Sequence, residues 1–367
     1  MSINVRKICL VLGVWVGLAG CASPGLEYLA PQPAGNPEAA NLRRVLVMEL
    51  VGPHGDEVAG SLSSMLVDAE FDGAPWFDVS LGPRPAIWAG EPDIDDAVAY
   101  GERRGVDGVW IGAVETWSDK SWPYRETRKR CVEWDGLFDC ERREEYQVDC
   151  VDFDAEIEIY LTLVDVRNRA IVAQPKLRDT DSDKICHEVY GGGKGKKGKH
   201  RHSGSSEHFY GDYDDDFGGG RLYQMERRMA VSLVKQLRTS IAPHYRYVTA
   251  TLMETPSTPY TDLTVGFTAA LEDAKAGRNA VACGRYEDLW VQYPDDASLA
   301  YNMGACAEMF GEYDDANTYY DKAYDASSYL SGKPHHDFMK TLTQSRDRLR
   351  GLISSQQRLD RMLETSF

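Results

Sequence analysis

Residues 297–330 read Ala-Ser-Leu-Ala-Tyr-Asn-Met-Gly-Ala-Cys-Ala-Glu-Met-Phe-Gly-Glu-Tyr-Asp-Asp-Ala-Asn-Thr-Tyr-Tyr-Asp-Lys-Ala-Tyr-Asp-Ala-Ser-Ser-Tyr-Leu. Small residues (Gly304, Ala307, Gly311, Ala316, Ala323) alternate with Tyr313 and Tyr320 at a spacing that suits paired helices. Small side chains let two helices approach, and an aromatic from the second fills the remaining gap. A shift back by about 34 residues lands on 263–296, where Gly277, Ala282, Tyr286 and Pro294 replace Gly311, Ala316, Tyr320 and Ser328. Two copies in phase make 256–330 a pair of helical repeats. A stack of such repeats usually needs about three, so 331–367 must supply the missing cover. There Leu342, Leu349, Leu352, Leu359 and Leu363 follow a/d spacing, interrupted by Ser345 and Gln356. That segment reads as a capping helix, with a dimerising coiled coil as the alternative.

The repeat resembles the tetratricopeptide (TPR) pattern. The resemblance implies that the first helix of each repeat lines a concave groove. The groove-facing positions are then Ser298, Tyr301, Asn302 and Ala305 in the second repeat, and include Thr264, Phe267 and Leu271 in the first. Phe267 and Tyr301 become the aromatic candidates for holding an extended peptide from an envelope partner, and Asn302 the candidate for its backbone. Only Lys275 lies nearby as a cation, so an acidic peptide with a free carboxylate is a poor ligand. The alternative is that Phe267 and Tyr301 pack against the preceding domain.

Working backwards, residues 43–255 read as one mixed α/β domain. Arg43 to Val51 is apolar on both faces and fits a central strand. Val58, Leu62, Met65, Leu66 and Ala69 recur at helical spacing, Phe77 to Val79 is a short strand, and Asp93 to Arg104 a second helix. Gly105-Val-Asp-Gly-Val-Trp-Ile-Gly-Ala-Val114 is a third strand. Ala155 to Val164 alternates cleanly, with Ala155, Ile157, Ile159, Leu161 and Leu163 on one face. Arg167-Asn168-Arg169 turns the chain, and Ala170 to Leu177 returns as its partner. Leu222, Met225, Met229, Leu233, Leu237 and Ile241 make the stripe of a closing helix. The fold class is therefore α+β: a mixed α/β sandwich domain followed by an all-α repeat domain.

This order resembles the CsgG-like lipoproteins of curli-type secretion channels and the related TolB-N-like periplasmic domains. It rests on the first strand near residue 45, the Gly105–Val114 segment and the Leu161–Val172 hairpin. The resemblance implies an envelope assembly or accessory role and leaves a channel subunit as the alternative. Physics argues against the channel. Trp122 to Cys150 carries charges on both faces from Glu141 to Glu145. A charge at the bilayer midplane costs about 2–4 kcal/mol, so this stretch reads as a soluble, disulfide-tied ribbon.

The start of the chain resembles a bacterial lipoprotein leader. Arg6 and Lys7 precede an apolar run from Ile8 to Ala19 that is too short to span a bilayer as a permanent helix. It ends in Leu18-Ala19-Gly20-Cys21, which is similar to the lipobox. The resemblance implies removal of residues 1–20 and lipidation of Cys21, which then tethers the protein to a membrane. The same resemblance implies, from the absence of Asp at Ala22-Ser23, the outer membrane over the inner, with the protein facing the periplasm. Residues 21–42, rich in Pro, Ala and Gly, read as a tether.

Of eight cysteines, Cys9 leaves with the leader and Cys21 is lipidated, which leaves six. An oxidising compartment favours disulfides. Cys131 and Cys140 flank the turn signal Asp135-Gly136, so they face each other across a hairpin. Cys150 and Cys186 then pair by elimination, and Cys283 and Cys306 fall on neighbouring packed helices. Free buried thiols stay open as the alternative for each pair.

The formal charge is −17, from 41 Lys and Arg against 58 Asp and Glu. Nucleic acid and anionic lipid surfaces are excluded as electrostatic partners. No reaction is legible. Gly193 to Lys199 imitates a phosphate-binding loop, but His200 stands where Ser or Thr is needed. Asp179, Asp181 and Asp183 imitate a calcium loop, but Lys184 and Tyr190 break it. His200, His202 and His208 near Asp212 and Asp214 to Asp216 could hold a divalent metal loosely, but they belong to a low-complexity stretch at 191–220 that reads as a flexible, solvated loop. The expectation is a binding or scaffold lipoprotein without catalytic residues, metal or cofactor, compatible with a homo-oligomer.

Overall fold

The computed structural model describes residues 24–83, 94–135, 139–188, 219–330 and 332–364. The leader, Cys21, the metal-like histidines and nearly all of 191–220 lie outside the described residues. The chain is α+β and divides into two units. One is Ala34–Ala242; the other joins the described residues up to Pro33 with those from Pro243 onward.

The second unit begins with β1 (Gly25–Gln32), in the stretch expected to be a tether. This is a difference from the sequence reading with a simple cause. Leu26, Tyr28 and Ala30 alternate as a half-buried strand, and Pro31 sits near its end, where a missing N–H matters least. Its antiparallel partner is the far end of the expected α/β domain, described below as β11.

In the Ala34–Ala242 unit, α1 (Pro37–Asn41) leads into β2 (Arg44–Val47), whose Val45, Leu46 and Val47 are fully buried. Then come α2 (Gly55–Val67), the two-residue strands β3 (Glu70–Phe71) and β4 (Ala74–Pro75), β5 (Asp78–Leu81) and α3 (Ile94–Arg104). The remaining strands are β6 (Gly108–Lys120), β7 (Tyr124–Asp135), β8 (Asp139–Asp165), β9 (Ala170–Ala173) and β10 (Lys176–Glu188). Two helices, α4 (Gly219–Lys235) and α5 (Arg238–Ile241), close the unit. The main sheet runs β10-β8-β6-β2-β5, with β2 parallel to β5 and β6, and β8 antiparallel to its neighbours. Gly112 is required where β6 meets β8, since a Cβ there would stand 2.1 Å from the Tyr160 carbonyl oxygen.

Two features outrun the sequence reading. The expected strand 170–177 is split at Pro175, which cannot donate to the ladder, and the chain resumes as the long β10. β8 extends far upstream of Ala155. Its residues from Val148 pair with β10, whereas 139–147 pair with β7 alone, so a two-stranded ribbon runs beyond the sheet. The ribbon is dressed with ion pairs, Lys129–Glu145 at 3.1 Å and Arg142–Glu133 at 2.8 Å among them. Disulfides join Cys131 to Cys140 and Cys150 to Cys186.

The second unit continues with β11 (His244–Thr251), then α6 (Thr261–Lys275), α7 (Asn279–Gln292), α8 (Ala297–Met309), α9 (Tyr313–Ala326) and α10 (Gly332–Glu364). The period of 34 is visible in three dimensions. Gly277 and Gly311 both turn with positive φ, Ala282 and Ala316 are both buried, and so are Tyr286 and Tyr320. Gly304 lets the helices meet: a Cβ there would come within 2.7 Å of the Tyr320 ring. A third disulfide, Cys283–Cys306, ties α7 to α8. On one side β1 and β11 cover the array, packing Leu26, Tyr28, Val248 and Ala250 with Leu263 and Phe267. On the other, α10 places Phe338, Leu342 and Leu349 against Tyr301 and Tyr320.

At the centre of the unit stands Glu308, with no exposed surface. It accepts two hydrogen bonds from Arg348 of α10 (2.6 and 3.0 Å), one from Tyr28 of β1 (2.5 Å) and one from Tyr320 of α9 (2.9 Å). Burial, and then the Glu308 carboxylate, push the Tyr28 and Tyr320 hydroxyls well above the ordinary tyrosine range. Burial opposes the charge on Arg348, but Glu308 outweighs it and holds the guanidinium above its usual value.

Removing one partner of a buried ion pair strands the other. Glu308→Ala is therefore expected to lower the unfolding free energy by about 3–5 kcal/mol in urea titrations. The tyrosines add a pH signature. Their folded values lie above the unfolded value of about 10, so their contribution is complete below that pH and is lost as pH rises beyond it. Urea midpoints should fall steeply above about pH 10, and Tyr28→Phe should flatten that fall.

Candidate functional site

The groove residues expected from the repeat are not on a surface. Phe267, Tyr301 and Asn302 are each fully buried. Phe267 packs edge-on against Tyr286 with ring centres 5.3 Å apart, beneath the β1–β11 sheet. Tyr301 lies 5.4 Å from the Tyr320 ring, and its hydroxyl meets Ser345 Oγ of α10 at 2.6 Å. Phe267 shares its core with Val248 and Ala250, which fall within the stretch 43–255 read as the α/β domain, whereas Tyr301 packs among the helices themselves. The correction has a physical reason. With only two repeats the unit cannot leave its inner face bare, and the chain's own sheet and last helix cover it.

Asn302 does hold an extended backbone, but that backbone belongs to this chain. Its Oδ1 accepts the Met253 N–H at 2.8 Å and its Nδ2 donates to the Met253 carbonyl at 3.1 Å. Asp296 pins the same segment further along. One carboxylate oxygen caps α8 through the Leu299 N–H, and the other accepts from the backbone and hydroxyl of Thr258 at 2.7 and 2.9 Å. Ser257 Oγ accepts the Ala297 N–H at 2.8 Å. Residues 253–258 are thus fastened along α8.

Beside this segment lies an open cleft of about 640 Å³ lined by Ser257, Thr258, Trp290, Asp295, Lys322 and Asp325, among others. Trp290 is half-buried and braced edge-on by Tyr319 at 5.6 Å. The Lys322 ammonium stands 5.3 Å from the centre of each ring. Asp295 and Asp325 are exposed at the rim. The indole already carries the chain's own cation, and the exposed carboxylates and the Ser257 and Thr258 hydroxyls suit a polar or cationic side chain in the rest of the cleft. Sequence reading missed this cleft because Trp290, Lys322 and Asp325 carry no motif. What brings them together is the packing of α7 against α9 through Trp290 and Tyr319, with Ser257 and Thr258 completing the lining.

In the Ala34–Ala242 unit, His54 sits buried at the start of α2 with a positive φ of 58°. Its Nε2 is 2.9 Å from Glu226, and its ring lies 4.6 Å from that of Tyr223. This ties α2 to α4 and offers no nucleophile. Glu126, Cys150 and Cys186 have metal-ligating atoms close together, but both sulfurs are joined to each other in the disulfide. No helix among the described residues is long and apolar enough to cross a membrane.

No protein-family model matches the sequence, and no curated protein matches it. Among solved structures the chain is similar to a PelC dodecamer from Paraburkholderia phytofirmans. The identity is 14% and the TM-score 0.22, over 59% of this chain and 98% of that one. It is also similar to the hypothetical protein CT253 from Chlamydia trachomatis, at 12% identity and a TM-score of 0.22, over 53% of this chain and 98% of that one. Likeness at these scores carries no argument about this chain.

The buried positions make a clear expectation. Tyr301→Ala should cost about 3–5 kcal/mol, as loss of a large core aromatic does. Asn302→Ala should cost about 1–3 kcal/mol by stranding the Met253 backbone. Thermal midpoints of the purified variants check both. A midpoint unchanged in either would return these residues to the surface.

Proposed function

We propose that the protein is a lipid-anchored binding and scaffold protein of the outer membrane, facing the periplasm. In this reading it assists assembly or secretion of an envelope structure through protein contacts, without a reaction of its own. Its compartment is supported by the disulfides, which persist in oxidising surroundings and are rare in a reducing cytosol. Cys21 supplies the anchor, and the TPR-like pairs supply the binding element.

The observation that carries the binding half is the Trp290 cleft in its electrostatic setting. Residues 256–330 hold four Lys and Arg against thirteen Asp and Glu. Such a surface attracts a basic partner segment and repels an acidic one. Trp is a residue type enriched among interface anchors, and here it shares a cleft with the exposed carboxylates Asp295 and Asp325. The occupant that fits is a Lys- or Arg-bearing segment of an envelope protein, its cation toward the exposed Asp295 and Asp325 and away from Lys322.

Photo-crosslinking in intact cells from position Tyr324, exposed on α9, tests this. Trp290→Ala should weaken partner capture about tenfold or more, the scale of an interface anchor, and also lower the thermal midpoint, because its ring packs against the helical core. Reversing the exposed Asp295 and Asp325 to Lys should weaken capture with the midpoint unchanged and reduce the salt sensitivity of what binding remains. Separately, Cys21→Ser should move the protein from the membrane to the soluble fraction. Retention of that variant in the outer membrane after salt washing would sink the anchor.

A further inference from the structure

The first strand starts at Gly25, only four residues beyond Cys21. Four residues span at most about 14 Å, so a lipid on Cys21 would leave no long tether. The polar layer of a bilayer is itself about 5–8 Å deep on each side. The Gly25 end of β1 must then stand close to the headgroups.

The outward face of the β1–β11 sheet has a composition that suits that position. Leu26, Tyr28 and Ala30 point into the helical core, so Glu27, Leu29 and Pro31 point away from it. Opposite them, in register, stand Thr249, Tyr247 and Tyr245. Leu29 is 51% exposed, Tyr247 78% and Tyr245 45%. An exposed leucine thus stands directly beside two exposed tyrosines on one sheet face. By register, no Lys or Arg among the described residues of β1 and β11 stands on this face, so its character is apolar and aromatic. Tyrosine, with an apolar ring and a polar tip, is the side chain that settles at the membrane–water boundary.

We propose that the outward face of the β1–β11 sheet, through Leu29, Pro31, Tyr245 and Tyr247, lies against the phospholipid surface that anchors the chain. This rests on lipidation of Cys21. The lipid chains hold the protein at the membrane, and the sheet fixes its orientation there. The helical pairs that follow β11 are thereby held at a defined height above the bilayer.

The test uses the full lipidated chain on vesicles of phosphatidylethanolamine and phosphatidylglycerol, with 3-fluorotyrosine placed at Tyr247 or, as a control, at Tyr324. Fluorine relaxation is read with a nitroxide on the lipid headgroup and, separately, with a soluble paramagnetic chelate. The expected result is a lipid-borne effect several-fold larger at Tyr247 than at Tyr324, and a soluble-agent effect several-fold smaller. Equal responses at the two sites, with the protein anchored, overturn the proposal and leave the anchor standing. Shielding of Tyr247 from both agents also overturns it, because a protein surface then covers the face. If the wild-type chain fails to join the vesicles, the anchor reading falls and the membrane face falls with it.

Discussion

The helical unit is organised around one buried carboxylate. Glu308 binds side chains from β1, α9 and α10, and so joins the start, middle and end of the unit at one point. A buried ion pair adds little net stability compared with a well-packed apolar substitute, because taking both charges out of water is expensive. Its effect is on uniqueness. An apolar core would accept β1 or α10 in several registers, whereas four donors converging on two oxygens accept one. The leucine stripe of α10 shows the need for such a device. Leu342, Leu349, Leu352 and Leu359 would suit a coiled-coil seam, yet here they are spent on the unit's own core. Arg348, between two of those leucines, sets the register in which they pack.

The same constraint explains why two helical pairs suffice. A short repeat array exposes its inner face, and this chain closes that face with segments drawn from both ends of its sequence. β1 supplies Leu26 and Tyr28; α10 supplies Phe338 and Leu342. Asn302 and Asp296 then stitch down the segment between β11 and α6. Each polar contact satisfies a backbone or side-chain group that burial would otherwise leave unpaired. Ser257 and Thr258, held at Ala297 and Asp296, then line the cleft whose aromatic wall is Trp290.

Periodic features were legible in the sequence and positional ones were not. The equivalences Gly277/Gly311, Ala282/Ala316 and Tyr286/Tyr320 could be read because small and aromatic residues recur wherever helices cross at one spacing. β2 could be read from its unbroken apolar run. β1 was hidden because Pro31, Pro33 and Gly35 give the stretch a linker-like composition, while the alternation of Leu26, Tyr28 and Ala30 is only three residues deep. Tyr301 and Asn302 show the converse error. A family's groove positions identify which way a side chain points and do not say whether another segment already lies there. Trp290, Lys322 and Asp325 carry no pattern at all, because what unites them is tertiary.

The ribbon of β7 and β8 raises a separate question of stability, since an isolated two-stranded ribbon is marginal in water. Its ion pairs cannot supply the deficit. Lys129 and Glu145 are each more than half exposed, and exposed pairs contribute about 0–1 kcal/mol. The apolar side chains cannot either, as most of 139–147 faces solvent. What remains are the covalent links at both ends: Cys131–Cys140 near the tip, and Cys150–Cys186 where the ribbon enters the sheet. Cys150 and Cys186 stand directly opposite in the β8–β10 ladder, so that bridge fixes the register of the strand from which the ribbon extends. The links act mainly by restricting the unfolded ribbon, which neither salt nor surface substitution can undo. The charged surface is then free to serve solubility while the cysteines hold the shape, and a ribbon built this way keeps its form only where thiols stay oxidised.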